Sequence, residues 1–367
     1  MALYRIIGEH LISDDEYARK GDTVTAALAA NGRGGAAHPS VALQSGRTLS
    51  FDAPIAAAQP AALTAFPPIA YGQPLTIDIR QVYSGKVHWR DLSGTGDIAV
   101  VSGVKNWSVF NASARALNFV AKHTGANTML PMPGALTDGT AIVAYVPAVA
   151  TEQLLVSFEL TGAPRDDGVL ATLSSAFQAA ATMPLFLPYQ GAIMAAGSII
   201  PLAGKLIGAL TNGSSMWSET ETVNFGKPGT TASVADFRLA ARAGSGLEAY
   251  TYRPDVGLVD NSGALYNGDE PYIVIAIYGG QNSELEGFAP AVASAELLKR
   301  FYGAQNGVGN AIGDLIDIVK LASDVKNRRA ADQLKARIAA AGGADTTKLT
   351  AQLAATVANI LDPTLRP

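Results

Sequence analysis

Residues 256–282 read VGLVDNSGALYNGDEPYIVIAIYGGQN. A loop of Gly, Asn and Ser carrying carboxylates runs into Tyr272-Ile-Val-Ile-Ala-Ile-Tyr278 and ends at Gly279-Gly280. An apolar run of this length, rich in β-branched and aromatic residues and bounded by turn formers, predicts a buried strand. The same order of features occurs upstream, at residues 87–106, as VHWRDLSGTGDIAVVSGVKN. Asp91-Leu-Ser93-Gly94 parallels Asp260-Asn-Ser262-Gly263, and Gly96-Asp97 and Gly268-Asp269 each open an apolar strand. Gly103-Val-Lys-Asn106 and Gly279-Gly-Gln-Asn282 close those strands. Ala112-Ser113-Ala114 and Ala293-Ser294-Ala295 then open segments with helical spacing, carrying Leu117 and Leu298, so Ala114–Ala121 is expected to be helical. Ordered self-similarity of this kind indicates an internal duplication.

Other segments fill in around the two copies. Leu75-Thr-Ile-Asp-Ile79 alternates like a half-buried strand, and Ala141–Val146, Leu154–Leu160 and Phe237–Ala241 are further strand candidates. Val41–Leu43 and Leu49–Phe51 are short ones in an Ala-, Gly- and Pro-rich start. Between Asp167 and Glu219 the only formal charge is Lys205. Two runs there approach the ~20 residues that cross a bilayer, but Pro188, Pro201 and Lys205 interrupt them, so the expectation is a buried apolar helical hairpin between two β halves. Toward the C-terminus, Leu315, Ile318, Val319, Ala322 and Val325 form one helical stripe and Leu349, Leu353, Val357 and Ile360 a second, separated by Ala341-Gly-Gly-Ala344. The organisation expected is an N-terminal segment and linker at 1–66, a first half at 67–165, an apolar insert at 166–215, a second half at 216–303 and C-terminal helices at 304–367.

Composition narrows the function classes. The 367 residues are 48% hydrophobic and 16% charged, with a formal net charge of −4, so nucleic acid is not an expected partner. Cysteine is absent, which excludes disulfides, thiolate metal sites and a cysteine nucleophile. The opening residues, MALYRIIGEH, lack the long apolar run of a signal peptide, and a cytoplasmic location is the expectation.

Asp91 and Asp97 flank Leu-Ser-Gly-Thr-Gly in the first copy. Asp255, Asp260, Asp269 and Glu270 surround the longer loop of the second. Flexible loops with several carboxylates suit calcium, which takes six to eight oxygen ligands; aspartates in such loops also serve as turn residues that bond their own backbone. The Asp-x5-Asp spacing before a strand, and Gly268-Asp269-Glu-Pro-Tyr272-Ile-Val-Ile, resemble the first calcium loop of C2 domains. The resemblance covers about 20 residues per copy. It implies a mixed α/β fold with a mainly β core of two C2-like β-sandwich halves, with Asp91, Asp97, Asp260 and Asp269 as metal ligands and calcium as cofactor. The second acidic loop of that family is missing, and a helix is expected where it has a strand. Residues Asp269–Tyr278 with Gly287–Gly303 also resemble a companion domain found beside caspase-like peptidases.

Enzyme signatures are sparse. His10, His38, His88 and His123 lack metal-ligand spacing, and no Gly-x-Ser-x-Gly elbow or Walker A loop occurs. The expected function is a non-enzymatic binding or interaction module, calcium-dependent and membrane-associated, with a protein or a membrane surface as partner. Two alternatives are a membrane-inserting or pore-forming effector acting through residues 168–215, and an enzyme with an unrecognised site.

Overall fold

A computed structural model describes residues 2–31, 40–43, 46–50, 67–86, 95–106, 114–133, 139–162, 215–225, 236–242, 244–285, 308–341 and 346–367. Mixed α/β with a mainly β core is what these residues form. The strands are β1 (Ala2–Ile7), β2 (His10–Ser13), β3 (Ser40–Ala42), β4 (Thr48–Ser50), β5 (Leu75–Tyr83), β6 (Thr95–Asn106) and β7 (Ala114–Gly125). They continue with β8 (Ile142–Val146), β9 (Gln153–Gly162), β10 (Ser215–Asn224), β11 (Asp236–Ala241), β12 (Thr251–Arg253), β13 (Gly257–Val259) and β14 (Tyr272–Tyr278). The helices are α1 (Asp14–Asn31), α2 (Val308–Ala340) and α3 (Thr347–Ala358).

An eight-stranded antiparallel sheet has the order β13-β12-β2-β1-β11-β14-β5-β8, and a four-stranded one the order β10-β9-β6-β7. The two pack face to face. Leu75, Ile77, Ile79, Ile273, Ile275 and Ile277 of the large sheet meet Ile98, Val100, Phe119, Val156, Phe158 and Leu160 of the small one in one buried core. The large sheet takes strands from residues 1–66, 67–165 and 216–303 alike. The two motif strands are separated: β6 lies inside the small sheet and β14 inside the large one.

β14 is buried on both faces. Its odd-numbered isoleucines enter the inter-sheet core, whereas Tyr272, Val274 and Ala276 join Tyr4, Tyr83, Leu247, Tyr252 and Leu258 on the opposite face. The β12–β13 end of the sheet supplies that second cover. Gly257 has φ 94°, and a Cβ there would strike the Tyr272 hydroxyl, which accepts from the Leu258 N–H at 3.2 Å. Only glycine fits both the left-handed backbone and the close approach.

Helix α1 starts where Ser13 Oγ accepts from the Glu16 N–H at 3.3 Å, with Asp14, Asp15 and Glu16 in the first turn as the helix dipole favours. It buries Val24 with Ile12 of β2 and with Val41, Leu43 and Leu49 of the β3–β4 hairpin.

The structure corrects one expectation directly. Ala114–Ala121 is strand β7, pairing with β6 from Val104↔Ala114 to Thr95↔Gly125. Alanine and leucine at helical spacing favour helix locally, but Ala116, Leu117, Asn118 and Phe119 are consecutive and all buried. Ladder pairing with β6 overrides the local preference. The C-terminal helical pair forms as expected. The second copy's helix from Ala293 and the insert at 166–214 lie outside the described residues.

Candidate functional site

The predicted ligands fall into three situations. Asp91 and the Asp97 carboxylate lie outside the described residues. Asp260 sits in the turn after β13. Its Oδ1 accepts from Ser262 N (2.8 Å), Ser262 Oγ (2.7 Å) and Ala264 N (2.9 Å). The Ser262 hydroxyl bond first, then the backbone donors, hold its pKa below the ordinary carboxylate value. That oxygen is engaged by its own turn.

Asp269 serves the fold through its backbone. Its carbonyl accepts from Lys86 N at 2.8 Å, while its exposed carboxylate lies 3.7 Å from the Lys86 ammonium. Gly85, at φ 57°, lets the β5 loop approach so closely that a Cβ would strike the Asp269 carbonyl and Pro271. Asp260 and Asp269 therefore belong to separate turns. Among the described residues no three carboxylate or imidazole groups converge as a metal set.

Beneath these loops lies a tyrosine cluster that the sequence reading missed. Tyr83 stacks on Tyr272 at 5.1 Å, and Tyr266 meets Tyr83 and Tyr250 edge-on at 5.2 and 5.0 Å. The Tyr83 hydroxyl donates to the Gly268 carbonyl at 3.1 Å, and Tyr266 bonds both backbone groups of Glu270. Burial pushes Tyr272 up to about 12 and raises Tyr83, Tyr252 and Tyr266 as well. Through these bonds the packed rings position the loop that carries Asp269.

The second feature is strand β10, an edge of the small sheet. Trp217 and Val223 point inward into the core, and so by alternation do Glu219 and Glu221. Arg242 lies 3.9 Å from Glu219 and 3.8 Å from Glu270, whose Oε1 accepts from the Trp217 indole N–H at 3.3 Å. Burial raises the pKa of Glu219 against the pull of Arg242. Burial likewise raises Glu221, opposed by the Thr222 N–H and by buried Arg238 of β11. Inward charges on an edge strand discourage pairing with another chain. The Ser-Glu-Thr-Glu-Thr alternation at 218–222 is the sequence signal that would have located this seam.

The third feature is where β10 begins. Ser215 is the antiparallel partner of Thr161 near the end of β9, so the chain leaves the small sheet after Gly162 and re-enters it beside its exit point. The stretch between, residues 163–214, contains nearly all of the apolar insert. Among the described residues no helix is long and apolar enough to cross a membrane. Comparisons with protein-family models, with curated proteins and with solved structures returned no match.

Proposed function

We propose that this chain is a non-enzymatic interaction module that works at a membrane surface, with its sandwich presenting residues 168–215 as the membrane-seeking element. The observation that carries this reading is the Thr161↔Ser215 pairing. A long segment with Lys205 as its one formal charge is mounted on a β9–β10 hairpin whose two arms are already joined by a ladder. Among the described residues the two sheets pack their own side chains against each other, Phe158 and Phe119 with Ile77 and Ile275. That favours presentation over service as filler between halves. Lys205 costs ~2.5–3.5 kcal/mol at the centre of an inserted helix, which favours a shallow seat with its ammonium at the headgroups.

The C2-like duplication and a role for calcium stand as finer parts of this proposal. Each motif opens an interior strand, β6 or β14, of its sheet. Calcium, if it acts, works through Asp91 and Asp97, since Oδ1 of Asp260 is engaged and Lys86 stands beside Asp269.

The hairpin geometry supplies the test. Residues 163–214 are replaced by a two-residue Asn-Gly turn, which suits an antiparallel pair. The shortened chain is expected to melt like the parent and to lose co-sedimentation with liposomes. Unchanged liposome binding, or a shortened chain that fails to fold while the intact one ignores liposomes, would overturn the reading.

A further inference from the structure

The stretch of α2 from Lys320 to Ala340 carries a concentration of positive charge that the whole-chain balance conceals, half of it (Lys326, Arg329 and Arg337) along one line of the helix. From Lys320 to Ala340 the bases are Lys320, Lys326, Arg328, Arg329, Lys335 and Arg337, and the acids are Asp324 and Asp332, in a chain of net charge −4. Both acids are engaged. Buried Asp324 accepts from Leu361 N (2.9 Å) and Asp362 N (2.8 Å), and Asp332 pairs with Arg328 at 3.0 Å. Arg328 also donates to the Leu365 carbonyl at 3.1 Å.

Arg329, Lys335 and Arg337 remain exposed and make no ion pair among the described residues. At about 100° per residue, Lys326, Arg329, Gln333 and Arg337 fall along one line of the helix. It lies opposite Ala331 and Asp324, which face α3 and the C-terminal turn. Lys326 is exposed as well, although desolvation by its surroundings lowers its pKa. Between these long side chains stand only Ala330, Ala336 and Ala340.

We propose that this face of α2 docks on an anionic lipid surface, with its basic side chains among the headgroups. Protein–protein interfaces centre on large apolar or aromatic anchors, and from Lys326 to Ala340 this line of the helix has none. A planar array of negative headgroups needs no such anchor and attracts each Lys or Arg independently. The inference rests on the membrane reading above and deepens it by naming the lipid class. An apolar element and a basic face together make the two signals that stable peripheral attachment requires.

The test uses the full chain and vesicles of phosphatidylcholine, alone or with about 30% phosphatidylserine, at low and high salt. Phosphatidylserine is expected to strengthen binding at low salt only. At about fivefold per residue, Arg329→Gln with Arg337→Gln should weaken that gain about 25-fold, with binding to phosphatidylcholine and the melting temperature unchanged. Arg329→Lys with Arg337→Lys should keep it, because the attraction needs charge and not fork geometry. If the glutamine pair binds phosphatidylserine like the parent, the basic face is not the docking surface, while the apolar segment can still be the attachment. A lysine pair as weak as the glutamine pair, or tighter binding to duplex DNA than to vesicles, would also overturn the proposal. A parent chain that binds neither vesicle removes both readings together.

Discussion

β14 has both faces covered, one by the small sheet and one by the tyrosine layer, and six of its seven residues are buried. Among the described residues, Val325 of α2 clusters with Ile360 and Leu365 of the segment after α3. The described contacts of the C-terminal helices with the sandwich are polar. Asn359 Oδ1 accepts from Ala148 N at 3.1 Å and its Nδ2 donates to Ala148 O at 2.8 Å, while Lys348 reaches Glu152 at 2.9 Å. The sandwich is held by apolar area, which is costly to disrupt. The described contacts that tie the helical pair to the sandwich are a few directional bonds, each worth little net of water. The two regions should therefore lose stability separately, the helices first.

The largest effect should come from the sandwich. Phe158 is fully buried between the sheets, and Phe158→Ala should cost about 3–5 kcal/mol, seen as a global fall in denaturation midpoint. Ile360 is equally buried, but Ile360→Ala, at about 2–5 kcal/mol, should act locally. Hydrogen exchange should quicken across α2 and α3 while β14 stays protected. Loss of protection in β14 would show that the two regions form one cooperative unit. Asn359→Ala removes the partner of both Ala148 backbone groups. At about 1–3 kcal/mol for the groups left unpaired, it should release the helical pair without moving the midpoint of the sandwich.

A pH series sharpens the same contrast. Burial raises the pKa of Asp78 on β5 and of Glu219 and Glu221 on β10 above the unfolded values. A raised acid contributes stability that is present below its unfolded pKa, about 3.9 for Asp and 4.3 for Glu, and is lost as pH rises through the folded value. Glu219→Gln and Glu221→Gln should therefore raise the sandwich midpoint at neutral pH, with the gain vanishing in acid. The opposite trend would mean that the pairs with Arg242 and Arg238 outweigh burial. Tyr4 and Tyr272, both raised to about 12, keep their stabilising effect below pH ~10 and lose it above, so alkali should melt the sandwich.

The same contrast governs what could be read from the sequence. β5, β8, β9, β11 and β14 are legible because short runs rich in apolar residues sit between turn formers, and the helical pair because Ala341-Gly-Gly breaks two apolar stripes. β7 was misread because its neighbours bury consecutive residues, which erases the alternation that marks a strand. β1, β2 and α1 were missed: Ala2–Ser13 is short and mixed in polarity, and its strand character depends on partners at Phe237–Ala241 and Thr251, far away in sequence. The tyrosine cluster and the Glu219–Arg242 seam join residues from different elements, so neither leaves a local motif. At Asp260 the carboxylate is legible in the sequence, but that its own turn engages Oδ1 is not.

Asp260 offers the smallest effect and the most direct separation of turn from ligand. Its Oδ1 gathers three donors within its own loop, and Asn retains that oxygen whereas Ala does not. Asp260→Ala should lower the melting temperature slightly, Asp260→Asn less, and both by the same amount with millimolar calcium as with chelator. A ligand to calcium behaves otherwise: ion binding to the native state alone adds about 2.7 kcal/mol at a hundredfold excess over Kd, and the neutral Asn would forfeit most of it. A calcium-dependent difference between Asp260→Asn and the parent would therefore move Asp260 from the turn to the metal site. It would also imply that Oδ2, the oxygen its loop leaves free, faces the ion.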